Sequence, residues 1–420
     1  MSNPSRGSLI LRYQVTTGSG AVNVSSLSAR IVNGVAEVER RAPVLGLMAL
    51  LGAVIVTAIG LQQVAIQPIL VQTFVEKLGL TENNAGYIAS AELFGMALAT
   101  VVSIVALERF SWRRLILIAS VGLLCADLIS ISAIHFVPLL IIRFASGVFE
   151  GVLTSVGYAM LAFARRPDRG IALALAVLLS FGAACVFLFP RALQTIGAAG
   201  IFATLGVISV APAFLVRHLP DHGGAATTKI ENERVGGAAY VALGAIATFF
   251  VGVGAVAPYL FLIGTNTGLA DQVVALGISA SLIAGVLGAL FALIACDLLP
   301  PIVVTSAAIL VSGLPVLLLH KGLSGLEFGI IACIFNGVGT MAAPLVIAPV
   351  AAFDRTGRLT AIAAAIQICA FAFGPFLSAL LVKPGAYGAV ENTAAVLFVV
   401  SAMLVLIPLK KLRLRVAKSV

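Results

Sequence analysis

Charge is scarce in this sequence. Only 10% of its 420 residues are Asp, Glu, Lys or Arg, against 60% hydrophobic, and the mean hydropathy is +1.13. A soluble domain carries about 25% charged residues, so a water-soluble enzyme or binding module is excluded. The four histidines (His135, His218, His222, His320) sit outside the apolar runs, and no HExxH occurs. The five cysteines (Cys125, Cys185, Cys296, Cys333, Cys369) all sit inside apolar runs and never as CxxC. That pattern supports neither a disulfide framework nor a zinc site. No GxxxxGK[ST] loop is present, so ATP-driven work has no engine here, and no cofactor is expected. Residues 1–43 are polar and lack an apolar run that would read as a cleaved signal peptide, so a disordered cytosolic tail is expected.

Long apolar runs dominate instead. A helix needs about 20 apolar residues to cross a bilayer. Barrel strands would be about 10 residues of alternating pattern, which is absent. Twelve spans are expected, at 44–74, 84–107, 114–134, 137–163, 170–190, 194–216, 237–264, 271–296, 301–319, 324–350, 358–382 and 390–409. The domains follow: a tail (1–43), a first six-helix bundle (44–216), a linker (217–236), a second bundle (237–409) and a basic tail (410–420). With both tails inside, 21 Lys and Arg residues fall in the tails and inner loops and 4 in the outer loops, the remaining one being Arg143. This obeys the positive-inside rule. Orientation in a cytoplasmic (inner) membrane, with both termini cytosolic, therefore accounts for the net charge of +9 without a nucleic-acid partner. The basic tails are expected to meet anionic lipid headgroups.

One span is unlike the rest. Leu139–Phe163 is apolar enough to cross, yet Arg143, Gly147, Glu150, Thr154 and Tyr158 recur at intervals of 4, 3, 4 and 4, which is one helical face. An ionisable group at mid-membrane costs at least about 2.5–3.5 kcal/mol to insert. Two on one face mark either a wet functional cavity or a structural ion pair. Asp127 and Arg143 are each eight residues from His135, so an antiparallel hairpin brings them to one depth, and Glu92 reaches a similar level. Burial favours the neutral form of a carboxyl and a neighbouring guanidinium the charged one. Glu150, Glu92 and Asp127 are thus candidate proton carriers, with Arg143 tuning them. Arg143 is also a candidate for binding a solute carboxylate directly. In LQQVAIQP, Gln63 and Gln67 share a face and Pro68 is expected to bend the helix. These amides suit either a polar solute or helix–helix hydrogen bonds.

The two halves repeat. At a shift of 189, Leu80 meets Leu269, Glu82 meets Asp271, and Glu108 meets Asp297; at 190, Pro68 meets Pro258, Gly147 meets Gly337, and Arg165 meets Arg355. Parallel repeats place a solute site at their interface near mid-membrane. The ionisable groups do not repeat: Glu92 meets Ser281, Arg143 meets Cys333, and Glu150 meets Thr340. The second half offers neutral groups, from which Tyr259, Asn336 and Gln367 are taken as solute-binding candidates beside Gln63 and Gln67.

Six plus six helices with a basic linker resemble the major facilitator superfamily over about residues 44–410. The loop Ala106–Arg114, ALERFSWRR, is similar to a degenerate form of that family's acidic–basic loop motif. The resemblance implies a latch between the halves on the inner side by Glu108, Arg109, Arg113 and Arg114. RFASGVFEG is similar to the family's RxxxG segment, which implies a proton-coupling role for Arg143. The resemblance also implies a cavity lined by helices 1, 4, 7 and 10, with the third helix outside it, so Asp127 is expected chiefly as a partner of Arg143. The fifth helix lacks the glycine–proline pattern of many exporters, and the first lacks the paired aspartates of aromatic-acid symporters. The expectation is an all-α membrane protein of two pseudo-symmetric six-helix bundles, not an enzyme, monomeric, moving a small organic solute by alternating access with protons. A proton-independent facilitator, or a membrane-embedded enzyme or sensor using Glu92, Asp127 and Glu150, are the alternatives.

Overall fold

The computed structural model of the chain describes residues 45–221, 237–354 and 358–419. The expected tail, 1–43, and most of the linker lie outside the described residues. Twelve helices follow in order: α1 (Leu47–Glu76), α2 (Glu82–Arg109), α3 (Trp112–Ser130), α4 (Phe136–Leu161), α5 (Pro167–Thr195), α6 (Gly197–His218), α7 (Gly237–Asn266), α8 (Asp271–Leu298), α9 (Pro301–Leu318), α10 (Gly325–Phe353), α11 (Arg358–Leu381) and α12 (Gly388–Ser419). Eleven are long and apolar enough to cross a membrane. The remaining one, α3, carries Arg113, Arg114 and Asp127 within 19 residues.

Local chemistry sets the ends. The Thr81 hydroxyl accepts from the Asn84 amide at 3.2 Å and starts α2. Ser324 and Glu327 form a reciprocal capping box at the start of α10. Two expectations are corrected. The bend in α1 falls at Leu61 (φ −106°, ψ 0°), not at Pro68, which lies inside a continuous α-helical stretch. The break follows Gly60, a weak helix former. A Cβ there would meet Thr154 and the Glu150 carbonyl, so glycine is what lets α1 touch α4. In the repeat, α7 breaks at a 3-10 turn through Pro258. Second, α12 runs on to Ser419 through residues expected to be tail, because the basic stretch contains no helix breaker.

The packing repeats as the sequence does. Contacts of α2 with α4, α3 with α4, and α3 with α6 recur as α8 with α10, α9 with α10, and α9 with α12. Between the two sets of six, α2 packs along α11 and α5 along α8. These are counterparts under a six-helix shift, so the bundles are related by a pseudo-twofold axis. Both described chain ends lie on one face, called here the terminal face.

Candidate functional site

Close helix approach builds the site. A Cβ on Gly147 of α4 would coincide with the Glu92 carbonyl of α2. Gly95 stands likewise against the Phe144 carbonyl, and Gly151 against that of Met96. With no side chains between them, α2 and α4 bring their ionisable groups together.

Arg143 is fully buried. Its Nη1 donates to Glu92 Oε1 at 3.1 Å, and its Nη2 donates to Asp127 Oδ1 at 2.6 Å and to Ser130 Oγ at 3.1 Å. The Phe202 ring of α6 lies 5.5 Å from its guanidinium carbon. One guanidinium thus ties α2, α3, α4 and α6. The shared depth read from the spacing about His135 is what the hairpin delivers. Ser130 and Phe202 had no signal in the sequence, one being a common hydroxyl and the other an ordinary aromatic in an apolar run.

Glu150, two turns further along α4, is also buried, yet among the described residues it makes no ion pair and its Oε1 has no hydrogen-bond partner. Thr154 Oγ1, Asp127 Oδ2 and Arg143 Nε are equally unpartnered and buried. Polar atoms in that state need water or a ligand. Tyr158 ends the stripe, 40% exposed, nearest the terminal face.

The glutamines of α1 divide. Gln62 Nε2 donates to Ser209 Oγ of α6 at 2.8 Å, and Gln67 Nε2 donates to the Ala89 carbonyl of α2 at 3.3 Å. Both therefore serve helix–helix contact. Gln63 is buried with both amide atoms unpartnered.

The second-set candidates lie apart from this cluster. Asn336 is partly buried, and its Nδ2 donates to Ser281 Oγ of α8 at 2.6 Å. Gln367 is partly buried and makes no hydrogen bond among the described residues. Tyr259 is buried at the face opposite the chain ends, where its hydroxyl donates to the Glu82 carbonyl at 3.0 Å.

That contact belongs to a clasp. Glu82 Oε1 accepts from the Tyr387 hydroxyl at 2.7 Å and the Gly385 amide at 3.3 Å. Asn83 Nδ2 donates to the carbonyls of Ala379 at 2.6 Å and Val382 at 3.2 Å. Burial, then the Glu82 carboxylate, hold the Tyr387 phenol above its ordinary pKa range, so it remains a donor. Deeper, Ser90 Oγ donates to the Ala372 carbonyl at 2.8 Å, and Gln272 Nε2 to that of Phe187 at 3.3 Å. These side-chain hydrogen bonds between the sets lie in the half of the bundle away from the terminal face. At the terminal face, Arg113 Nε donates to the Leu219 carbonyl at 2.8 Å, and Trp112 N–H to that of Asp221 at 2.8 Å. The loop expected as a latch here holds the start of the linker, while Glu108, Arg109 and Arg114 are exposed.

The family model described as Major Facilitator Superfamily matches residues 52–245. None of the curated proteins matches the sequence. Among solved structures, a D-xylose-proton symporter is similar at 14% identity and TM-score 0.71, covering 85% of this chain and 96% of the other. A mutant of the nucleoside transporter NupG is similar at 10% identity and TM-score 0.68, covering 85% and 98%. Over 52–245, just under half of its length, the chain is thus similar in sequence to the major facilitator superfamily, and over most of its length it shares the fold of these two transporters.

Proposed function

We propose that this protein is a proton-coupled secondary transporter of a small, polar organic solute. The observation that carries this is Glu150, a buried carboxyl without a cation contact, beside an Arg143 whose terminal nitrogens are already committed to Glu92 and Asp127. A buried carboxyl is tolerated when neutral and costly when charged and unpaired. Glu150 therefore carries the proton, Glu92 is the second acceptor, and Asp127 with Arg143 sets the field around them. An anionic solute would have to displace one of those carboxylates, which favours a neutral one. Gln63 offers it both donor and acceptor, Asn336 and Gln367 extend contact from the second bundle, and Tyr259 acts at the gate. The relatives in fold are named for xylose and a nucleoside, both neutral and rich in hydroxyls.

The lysine and arginine asymmetry supports a cytosolic terminal face in the cytoplasmic membrane. The clasp then closes the outer side, and Glu108, Arg109, Arg113 and Arg114 latch the inner side when it closes in turn. The basic ends contact anionic headgroups, and the monomer is the working unit.

The test is uptake of pentoses, hexoses and nucleosides into proteoliposomes with acid outside. Accumulation above equilibrium that collapses with an uncoupler is expected. Entry to the same plateau with and without the gradient would instead make the protein a facilitator.

The clasp gives a separate expectation. Tyr387→Phe with Asn83→Ala removes three bonds, each worth about 0.5–1.5 kcal/mol net. Spin labels at Lys77 and Lys383, with the native cysteines replaced by alanine, are expected to show the longer-distance population rise about tenfold or more. An unaltered distance distribution would mean that the clasp does not hold the gate.

A further inference from the structure

At the face opposite the chain ends, residues of the second bundle alone line a half-open pocket of about 230 Å³, between the end of α7, the α9–α10 turn and the α11–α12 turn. It is separate from the Arg143 cluster and does not depend on proton coupling. Glu391 lines it, is only 9% exposed, and its carboxyl group makes no hydrogen bond or ion pair among the described residues. The helix dipole eases an acid in the first turn of α12. It does not explain why that acid is buried on a cavity wall, in contact with no counter-charge. Lys321 and His320 line the same cavity, and Lys321 likewise has no carboxylate within ion-pair distance among the described residues. Asn266, a neutral polar residue, lines it too. One acid and two basic side chains, held apart around one pocket, fit a ligand that carries both charges.

We propose that this cavity is a binding site for a small zwitterion, its ammonium on Glu391 and its anionic group on Lys321 and His320. The volume would hold roughly eight waters at about 30 Å³ each, so it takes a molecule the size of alanine or glycine betaine. Tyr387 and Gly385 line the cavity and also donate to Glu82 in the clasp. An occupant therefore bears directly on the gate, and the site acts as an external sensor or loading point.

The full chain in lipid nanodiscs, probed with L-alanine and glycine betaine by saturation-transfer NMR and equilibrium dialysis, tests this. At least one zwitterion is expected to bind, while acetate and methylammonium, with one charge each, do not. Glu391→Gln and Lys321→Met are each expected to weaken binding at least tenfold. Three results would overturn the proposal: neither zwitterion binds, binding survives both substitutions, or it is abolished by Gln63→Ala and untouched by Glu391→Gln, which would locate the ligand in the central site. Both variants keep a side chain of similar size, and their melting profiles should match the unaltered protein.

Discussion

Arg143→Met is expected to lower stability by about 3–5 kcal/mol and abolish transport. The cost is not that of three lost hydrogen bonds. The guanidinium is the counter-charge for Glu92 and Asp127, all three groups are buried, and removing one partner leaves the others uncompensated. The same physics predicts a rescue. Adding Glu92→Gln and Asp127→Asn removes the stranded charges, so the triple variant should recover much of the melting temperature while remaining inactive. Thermal scanning of detergent-solubilised protein, read as a kinetic stability, makes the comparison. If Arg143→Met melts with the wild type, the cluster does not hold α2, α3 and α4 together.

Gly147→Val is expected to be at least as damaging, for a steric reason. The atom a Cβ would strike is the backbone carbonyl of Glu92, which has no rotamer to escape into. Overpacking a tight contact costs typically about 1–3 kcal/mol, and more where backbone must move. Here α2 and α4 must part, and Glu92 leaves Arg143 as they do. Gly244→Ala on α7 is the matched control. Its nearest neighbour, a Leu404 methyl, would stand at an ordinary 3.7 Å. Size-exclusion profiles should show Gly147→Val largely aggregated and Gly244→Ala monodisperse. Equal profiles would mean that the glycine contact is dispensable.

These two residues also show what a sequence can disclose. The stripe on α4 was legible because inserting charge into an apolar run is costly, so its period survives as a strong signal. The common depth of Asp127 and Arg143 followed from counting residues on either side of one turn. Eleven spans are legible for the same reason: backbone groups in a bilayer must be satisfied within the helix, which fixes length and apolarity together. What escaped was long-range and polar. Nothing near Glu82 announces Tyr387, 305 residues away, although Glu82 did align with Asp271 in the repeat. Gln67 reads like a cavity residue, but an amide in an apolar run has the same sequence signature whether it meets a solute or a neighbouring helix. The bend of α1 was assigned to Pro68 because proline is the strongest breaker. The helix yields instead at Gly60–Leu61, where α4 comes closest. The acidic–basic loop gave its charges but not their conformation-dependent partners.

Glu150→Gln tests the central claim most directly, because it keeps shape and hydrogen bonding and removes only the proton. In proteoliposomes loaded with whichever sugar or nucleoside the wild type accumulates, the variant is expected to exchange labelled for unlabelled solute. It is expected to lose accumulation against a gradient, with no response to an uncoupler. Accumulation by Glu150→Gln with the wild-type dependence on pH would contradict the account.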